Sequence, residues 1–183
     1  NDCIVTPGWT KTLNKAHKDI EKLGVIACWH YYPDDFNYEI SRHKIRQLGD
    51  HKIICHPWVG GTGFLIKNRT FKKVGPMKRN ALTKYWLKLA SRGYINGFYF
   101  PLVFQEHMDD PRSAHTLLKK DSEIEKYLPY TAKNFGITSI DEWIDFLKKD
   151  AIYIQRSSPD PSEYTGLKPN IKKLYSKVCN CIK

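Results

Sequence analysis

Val25-Ile26-Ala27-Cys28-Trp29 is an unbroken apolar run of strand length. A strand wetted on one face alternates apolar and polar side chains; a strand covered on both faces has no need to. The run therefore predicts a central buried strand, and the neighbouring segments supply the layers that cover it. Just before it, Trp9, Leu13, Ala16, Ile20 and Leu23 recur at helical spacing. They predict an amphipathic helix over residues 8–22, capped by Thr6 or Thr10 and stopped by Gly24.

Downstream, Pro33-Asp34-Asp35 marks a loop, and residues 37–51 read as a polar excursion from the core. Residues 52–59 resume as a strand, Gly60-Gly61-Thr62-Gly63 forms a flexible junction, and Phe64-Leu65-Ile66 continues apolar. Asn68 or Thr70 is placed to cap a short helix that ends at Gly75-Pro76. Residues 80–92 predict another helix, with Leu82, Tyr85, Trp86 and Leu89 on one face and Gly93 as the stop. Residues 98–104 predict a strand running into a polar loop over 105–112. Segments 121–134 and 139–149 read as helices, the second with a capping box from Ser139 and Glu142, and residues 157–169 as a loop. The order helix, strand, strand, helix, helix, strand is that of an α/β chain. It divides into a sheet-bearing part over 1–118 and a helical C-terminal extension over 119–183.

The bulk numbers narrow the partners. The chain has 183 residues with a formal net charge of +11, which favours an anionic partner. Lys67, Arg69, Lys72, Lys73, Lys78, Arg79, Lys84, Lys88 and Arg92 fall in one stretch that contains no acid. Two readings stand: a solvated helical face, or a face turned toward diphosphates or anionic lipid. Aromatic residues make up 13% of the chain, which suits ring stacking on sugars or bases and equally an aromatic core. Cys28 and Cys55 lie in apolar runs and read as buried hydrophobes, while Cys179-x-Cys181 is too tight for a redox or zinc pair. No run reaches the ~20 apolar residues of a membrane span. No signal peptide is evident; the expected location is cytoplasmic, peripheral at the inner membrane face. No recognised nucleic-acid motif is present, so no specific nucleic acid is expected.

Three polar clusters follow apolar runs, where open α/β sheets place their ligands. They are Asn1-Asp2 before Cys3-Ile4-Val5-Thr6-Pro7-Gly8-Trp9; Trp58-Val59-Gly60-Gly61-Thr62-Gly63; and Glu106-His107-Met108-Asp109-Asp110-Pro111-Arg112. Each alone is weak: a terminal Asp is usually solvated, a Gly-Gly-x-Gly run is usually a turn, and a lone His is usually an ordinary hydrogen-bonding residue.

Their order resembles that of family 2 glycosyltransferases with the GT-A fold. Asn1 to Trp9 is similar to the end of the family's Asp-x-Asp motif and the Pro-Gly-Trp that follows it. Gly63-Phe64-Leu65-Ile66-Lys67-Asn68-Arg69-Thr70-Phe71-Lys72-Lys73-Val74-Gly75 resembles the family's phrase after its Gly-rich segment. Arg92-Gly93-Tyr94 matches its helix end, and Phe100-Pro101-Leu102-Val103-Phe104-Gln105-Glu106-His107 resembles the strand that delivers a rim histidine. The resemblance covers roughly residues 1–112 and implies a GT-A-like partial sheet. It also implies that a nucleotide-binding portion precedes Asn1.

The resemblance implies transfer of a sugar from a nucleotide-diphosphate donor to a saccharide or lipid-linked acceptor. It implies a divalent ion on the diphosphate, with Asp2 and His107 as ligands; a carboxylate with an imidazole suits Mn²⁺ better than Mg²⁺. Arg112 is placed to grip the diphosphate, and Trp58 with Gly60, Gly61, Thr62 and Gly63 to bound the sugar site. One departure stands out. Inverting members carry an acidic pair upstream of the Gly-Tyr, but Lys67 through Arg92 has no acid. Asp34, Asp35, Asp109 and Asp110 are the substitute bases on offer, each equally readable as a loop carboxylate. A non-catalytic sugar- or nucleotide-binding module is the alternative.

Overall fold

The structure, a computed structural model, describes residues 3–78 and 81–165. Asn1, Asp2, Arg79, Cys179, Cys181 and the basic tail lie outside the described residues. In chain order the regular elements are β1 (Cys3–Val5), α1 (Trp9–Asp19), β2 (Leu23–Ala27), α2 (Tyr38–Ser41), β3 (Ile45–Leu48), β4 (His51–Cys55), β5 (Phe64–Ile66), α3 (Asn68–Val74), α4 (Leu82–Ser91), β6 (Ile95–Phe100), β7 (Gln105–His107), α5 (Glu123–Tyr127), α6 (Pro129–Phe135) and α7 (Ile140–Arg156).

Five strands form a mixed sheet in the order β3-β4-β6-β2-β5. Only β2 and β6 run parallel; the other pairs are antiparallel. Every residue of β2 is buried, as its apolar run demands. Its side chains then separate by the two-residue period of a strand. Val25, Ala27 and Trp29 join Ile54, Phe98, Trp86 and Leu89 on one face. Ile26 and Cys28 join Leu13, Ala16, Ile20 and Ile53 on the other, beneath α1. The sheet therefore has helices on both faces, a mixed α/β arrangement. Burial also pushes the Cys28 thiol up to about 12, so it behaves as an apolar filler.

A buried amide ties the parallel pair to its surroundings. Asn96 Nδ2 donates to the carbonyls of Pro57 and Trp86, both at 2.8 Å, and Oδ1 accepts from the Val25 N–H at 3.2 Å. One residue along β6, a Cβ on Gly97 would sit 2.1 Å from the Ile54 carbonyl oxygen of β4. Neither backbone can retreat in the middle of a sheet. Gly97→Ala is expected to cost about 3 kcal/mol, the upper range for an overpacked core, read as a drop in the urea midpoint at unchanged m-value.

Several boundaries differ from expectation. The helix expected over 8–22 stops at Asp19, and its N-cap is Gly8 rather than Thr6 or Thr10. Lys67 stands at the N-cap of α3 in place of Asn68 or Thr70. The excursion over 37–51 contains α2 and most of a hairpin, β3 with β4. The strand expected to reach Phe104 ends at Phe100, because Pro101 has no N–H to continue the ladder. Within the expected polar loop, residues 105–107 form β7, which pairs with β1 in a separate two-stranded sheet.

The helical extension has its own small core of Leu118, Ile124, Ile137 and Trp143. The Ser139–Glu142 capping box is present. Yet α7 runs past residue 149, and its second half packs back onto the part before residue 118. Ala151 and Ile154 pack into the main core. Gln155 is fully buried: its Oε1 accepts from Asn37 N and Ser41 Oγ, and its Nε2 donates to the Asp35 carbonyl. The buried Lys44 ammonium donates to the Ile154 carbonyl, and burial holds its pKa down to about 8. The second half of α7 is thus a layer of the α/β body.

Candidate functional site

β2 and β6 are the parallel strands, so their C-terminal ends are where a ligand cleft is expected. Beyond those ends Trp29 and Phe104 are joined by a parallel bridge, and His30 and Gln105 follow directly. A cleft of about 550 Å³ opens there, with Ile4, Tyr32 and Phe104 as apolar lining and His30, Glu106 and His107 as polar lining. One wall is the two-stranded sheet, whose register sets Cys3 opposite His107. The first and third clusters of the sequence therefore adjoin; Asp2, one residue before Cys3, lies outside the described residues.

His107 is held on both ring nitrogens. Nδ1 lies 3.2 Å from an Asp109 carboxylate oxygen. Nε2 lies 3.1 Å from the Thr62 hydroxyl and 3.0 Å from the Gln105 amide nitrogen. The matching tautomer carries its proton on Nδ1, donates it to Asp109, and accepts on Nε2. Cys3 Sγ lies 3.8 Å from Nε2. A neutral imidazole backed by a carboxylate can ligate a divalent cation or take a proton from a hydroxyl. Among the described residues no group of three His, Cys, Asp or Glu side chains converges on one point. His107 thus fits as a single ligand with its orienting carboxylate, and further ligands must come from elsewhere.

The Gly-rich junction packs behind this imidazole. A Cβ on Gly60 would lie 3.0 Å from the His30 ring, and one on Gly63 would overlap the Gln105 side chain at 1.6 Å. Those two positions need the missing side chain for close approach. Gly60, Thr62 and Gly63 thereby back the lining residues His30, Gln105 and His107 without lining the cleft themselves. Gly61 instead faces Leu82, and Trp58 packs edge-on against His56 and Tyr164, outside the cleft lining.

Arg112 has a different use from the one expected. Its Nη1 and Nη2 donate to both Asp35 oxygens at 2.8 Å, while Nε and Nη2 donate to Asp110 at 2.9 and 2.7 Å. These four bonds leave one of the five guanidinium N–H groups for anything else. Tyr32 covers the guanidinium at 4.7 Å from its ring centroid. Burial works against the charge, but the hydrogen bonds that Arg112 donates to Asp110 and Asp35 outweigh it and raise the Arg112 pKa. Arg112 therefore clamps two loops while also lining the cleft, and the diphosphate grip expected of it has that one N–H to use. Asp35 and Asp110, expected as bases, are the acceptors of that clamp, and the paired guanidinium charge disfavours their taking up a proton. Asp34 is exposed. The Asp109 carboxylate lies against the His107 ring.

The sequence reading missed His30, Gln105 and Tyr32. His30 follows immediately on the buried strand, and that position was its available signal. Burial, with the nearby His107 ring adding to it, lowers the His30 pKa to about 3, so it stands neutral in the cleft. Among the described residues no helix is long and apolar enough to cross a membrane. Comparison with protein-family models, with curated proteins and with solved structures finds no match to this chain.

Proposed function

We propose that this chain is the acceptor-side part of a metal-dependent glycosyltransferase that moves a sugar from a nucleotide-diphosphate donor to a saccharide or lipid-linked acceptor, on a GT-A-like fold. The observation that carries the reading is the register of β1 on β7, with Cys3 opposite His107 at the end of the parallel strand pair. That pairing sets Cys3, the residue after the Asp-x-Asp-like Asn1-Asp2, against the rim histidine, which supports the reading.

The cleft chemistry supports it. His107 would contribute one nitrogen ligand through Nε2, with Asp109 fixing the ring and Thr62 and Gln105 yielding their contacts. A divalent ion, Mn²⁺ before Mg²⁺, would supply charge stabilisation for the departing nucleoside diphosphate. Tyr32 and Phe104 offer flat apolar surface for a sugar ring. Asp34 and Asp109 remain as groups able to take the acceptor's proton, since Asp35 and Asp110 are engaged by Arg112. That engagement favours a second reading, a non-catalytic sugar- or nucleotide-binding module with the same cleft.

Mn²⁺ titration of the chain, followed by electron paramagnetic resonance, tests the site. His107→Ala is expected to weaken binding roughly tenfold to hundredfold, the effect typical of disturbing a metal's ligand shell. His115→Ala, which loses only its exposed contact with Glu106, is expected to stay within about twofold. Equal losses in the two variants would remove His107 from the site. Nucleoside diphosphate release from nucleotide-sugars, with Mn²⁺ and a saccharide acceptor, separates the readings: binding without turnover selects the module.

A further inference from the structure

A second cleft, of about 690 Å³, opens at the opposite end of the central strands. Lys22 and Tyr94, which line it, immediately precede β2 and β6, whereas His30 and Phe104 lie past their far ends. It is bounded by the turn after α1, by α3 and by the residues after α4. Lys22, Arg69, Lys73 and Arg92 line it with one acid, Glu21.

Cations collected near helix C-termini have an ordinary explanation, because the last carbonyls of a helix attract them. Here other groups already fill that role. Lys67 Nζ donates to the Ile20 and Glu21 carbonyls at the end of α1, at 2.7 and 3.3 Å. Lys88 Nζ donates to the Val74 carbonyl at the end of α3, at 2.8 Å. The backbone N–H groups of Arg92, Gly93 and Tyr94 close the end of α4 on Leu89 and Ala90. Lys22, Arg69, Lys73 and Arg92 form no ion pair among the described residues, and all four are exposed. Crowding registers on their neighbour: burial first, and then Arg69, lower the Lys67 pKa. Four like charges around one concavity repel each other unless an anion enters it. Thr70, buried in the cleft wall, adds a hydroxyl.

We propose that this cleft is a phosphate-binding site, separate from the His107 cleft, which takes a phosphomonoester or diphosphate group between Arg69, Lys73, Lys22 and Arg92. Two arginines give it planar donors that match phosphate oxygens in pairs. The inference is independent of the sugar-transfer reading, because none of its residues lines the other cleft.

Two probes test it on the full chain at low ionic strength, where such binding is strongest. Inorganic pyrophosphate is titrated calorimetrically, and sedimentation is measured with phosphatidylcholine vesicles with and without phosphatidic acid, whose headgroup is a phosphomonoester. Binding of at least one probe is expected, weakened roughly tenfold or more in the double variant Arg69→Ala with Lys73→Ala. A control that removes equal charge elsewhere, Lys133→Ala with Lys148→Ala on exposed positions of α6 and α7, is expected to stay within about twofold. Pyrophosphate binding alone identifies a soluble phosphate as the source; vesicle binding that needs phosphatidic acid identifies a lipid headgroup. Absence of binding to both probes, or an equal loss in the control, overturns the proposal. Both double variants lie on solvent-facing positions, and unchanged thermal melts will show that the losses are not losses of fold.

Discussion

Arg112→Met is expected to destabilise the protein by about 3–5 kcal/mol, the cost of removing one partner from a buried charge network. The Asp35 and Asp110 side chains are 7% and 9% exposed, and the Arg112 guanidinium supplies two hydrogen bonds to each. Methionine refills most of the volume but leaves both carboxylates desolvated beside each other. Adding Asp35→Asn and Asp110→Asn to Arg112→Met should recover a large part of the loss, since a neutral amide costs less to bury than a charge. Urea denaturation of the single and triple variants decides the matter. An Arg112→Met protein as stable as the original, with only its nucleotide-sugar affinity lowered, would restore the diphosphate role and sink the clamp.

The second large effect is acid lability. His56 is buried, its Nδ1 lies 2.8 Å from the Trp58 carbonyl and its Nε2 2.9 Å from the Ser157 hydroxyl. Burial, with a smaller push from Lys44, lowers its pKa to about 3, as burial does for His30. Unfolded histidine titrates near ~6.5. Between those values the unfolded chain binds the protons and the folded chain does not. Stability is therefore present above pH ~6.5 and is lost as the pH falls toward 3. One proton corresponds to about 1.4 kcal/mol per pH unit and two to about 2.7. His30 lines the cleft, and water there relieves part of its cost, so the share of the slope due to these two histidines lies between these bounds. His56→Asn should reduce the slope by about one proton while costing stability at neutral pH. A slope unchanged in His56→Asn would mean that His56 charges freely in the folded state.

What the sequence made legible follows from how local each signal is. The buried run at 25–29 announced β2 because burial on both faces leaves no polar positions. The helix of Leu82, Tyr85, Trp86 and Leu89 and the Ser139–Glu142 cap were legible because both depend on neighbours three or four residues apart. β7 was illegible for the opposite reason. Gln105-Glu106-His107 has no apolar pattern, and only its partner β1 makes it a strand. Arg112 misled because an arginine beside a ligand loop looks the same whether its anion is a substrate or an aspartate 77 residues away. The far half of α7 was cut short at 149 because Asp150 interrupts its apolar stripe. In the structure that carboxylate accepts from the Tyr31 hydroxyl at 2.6 Å, so the interruption is itself an internal contact.

The pairing of β1 with β7 has a consequence for synthesis on the ribosome. Cys3 and His107 are 104 residues apart in the chain. At roughly 5–20 residues per second, β1 waits about 5–20 s after it is made before its partner exists. During that interval β2 and α1 can already pack, since both lie within the first 27 residues. Closing a loop of this length is entropically costly and is repaid only once the long-range contacts form. The wall that β1 and β7 form beside the His107 cleft therefore waits for residue 107, and the core itself is completed only when Ala151 and Ile154 of α7 arrive.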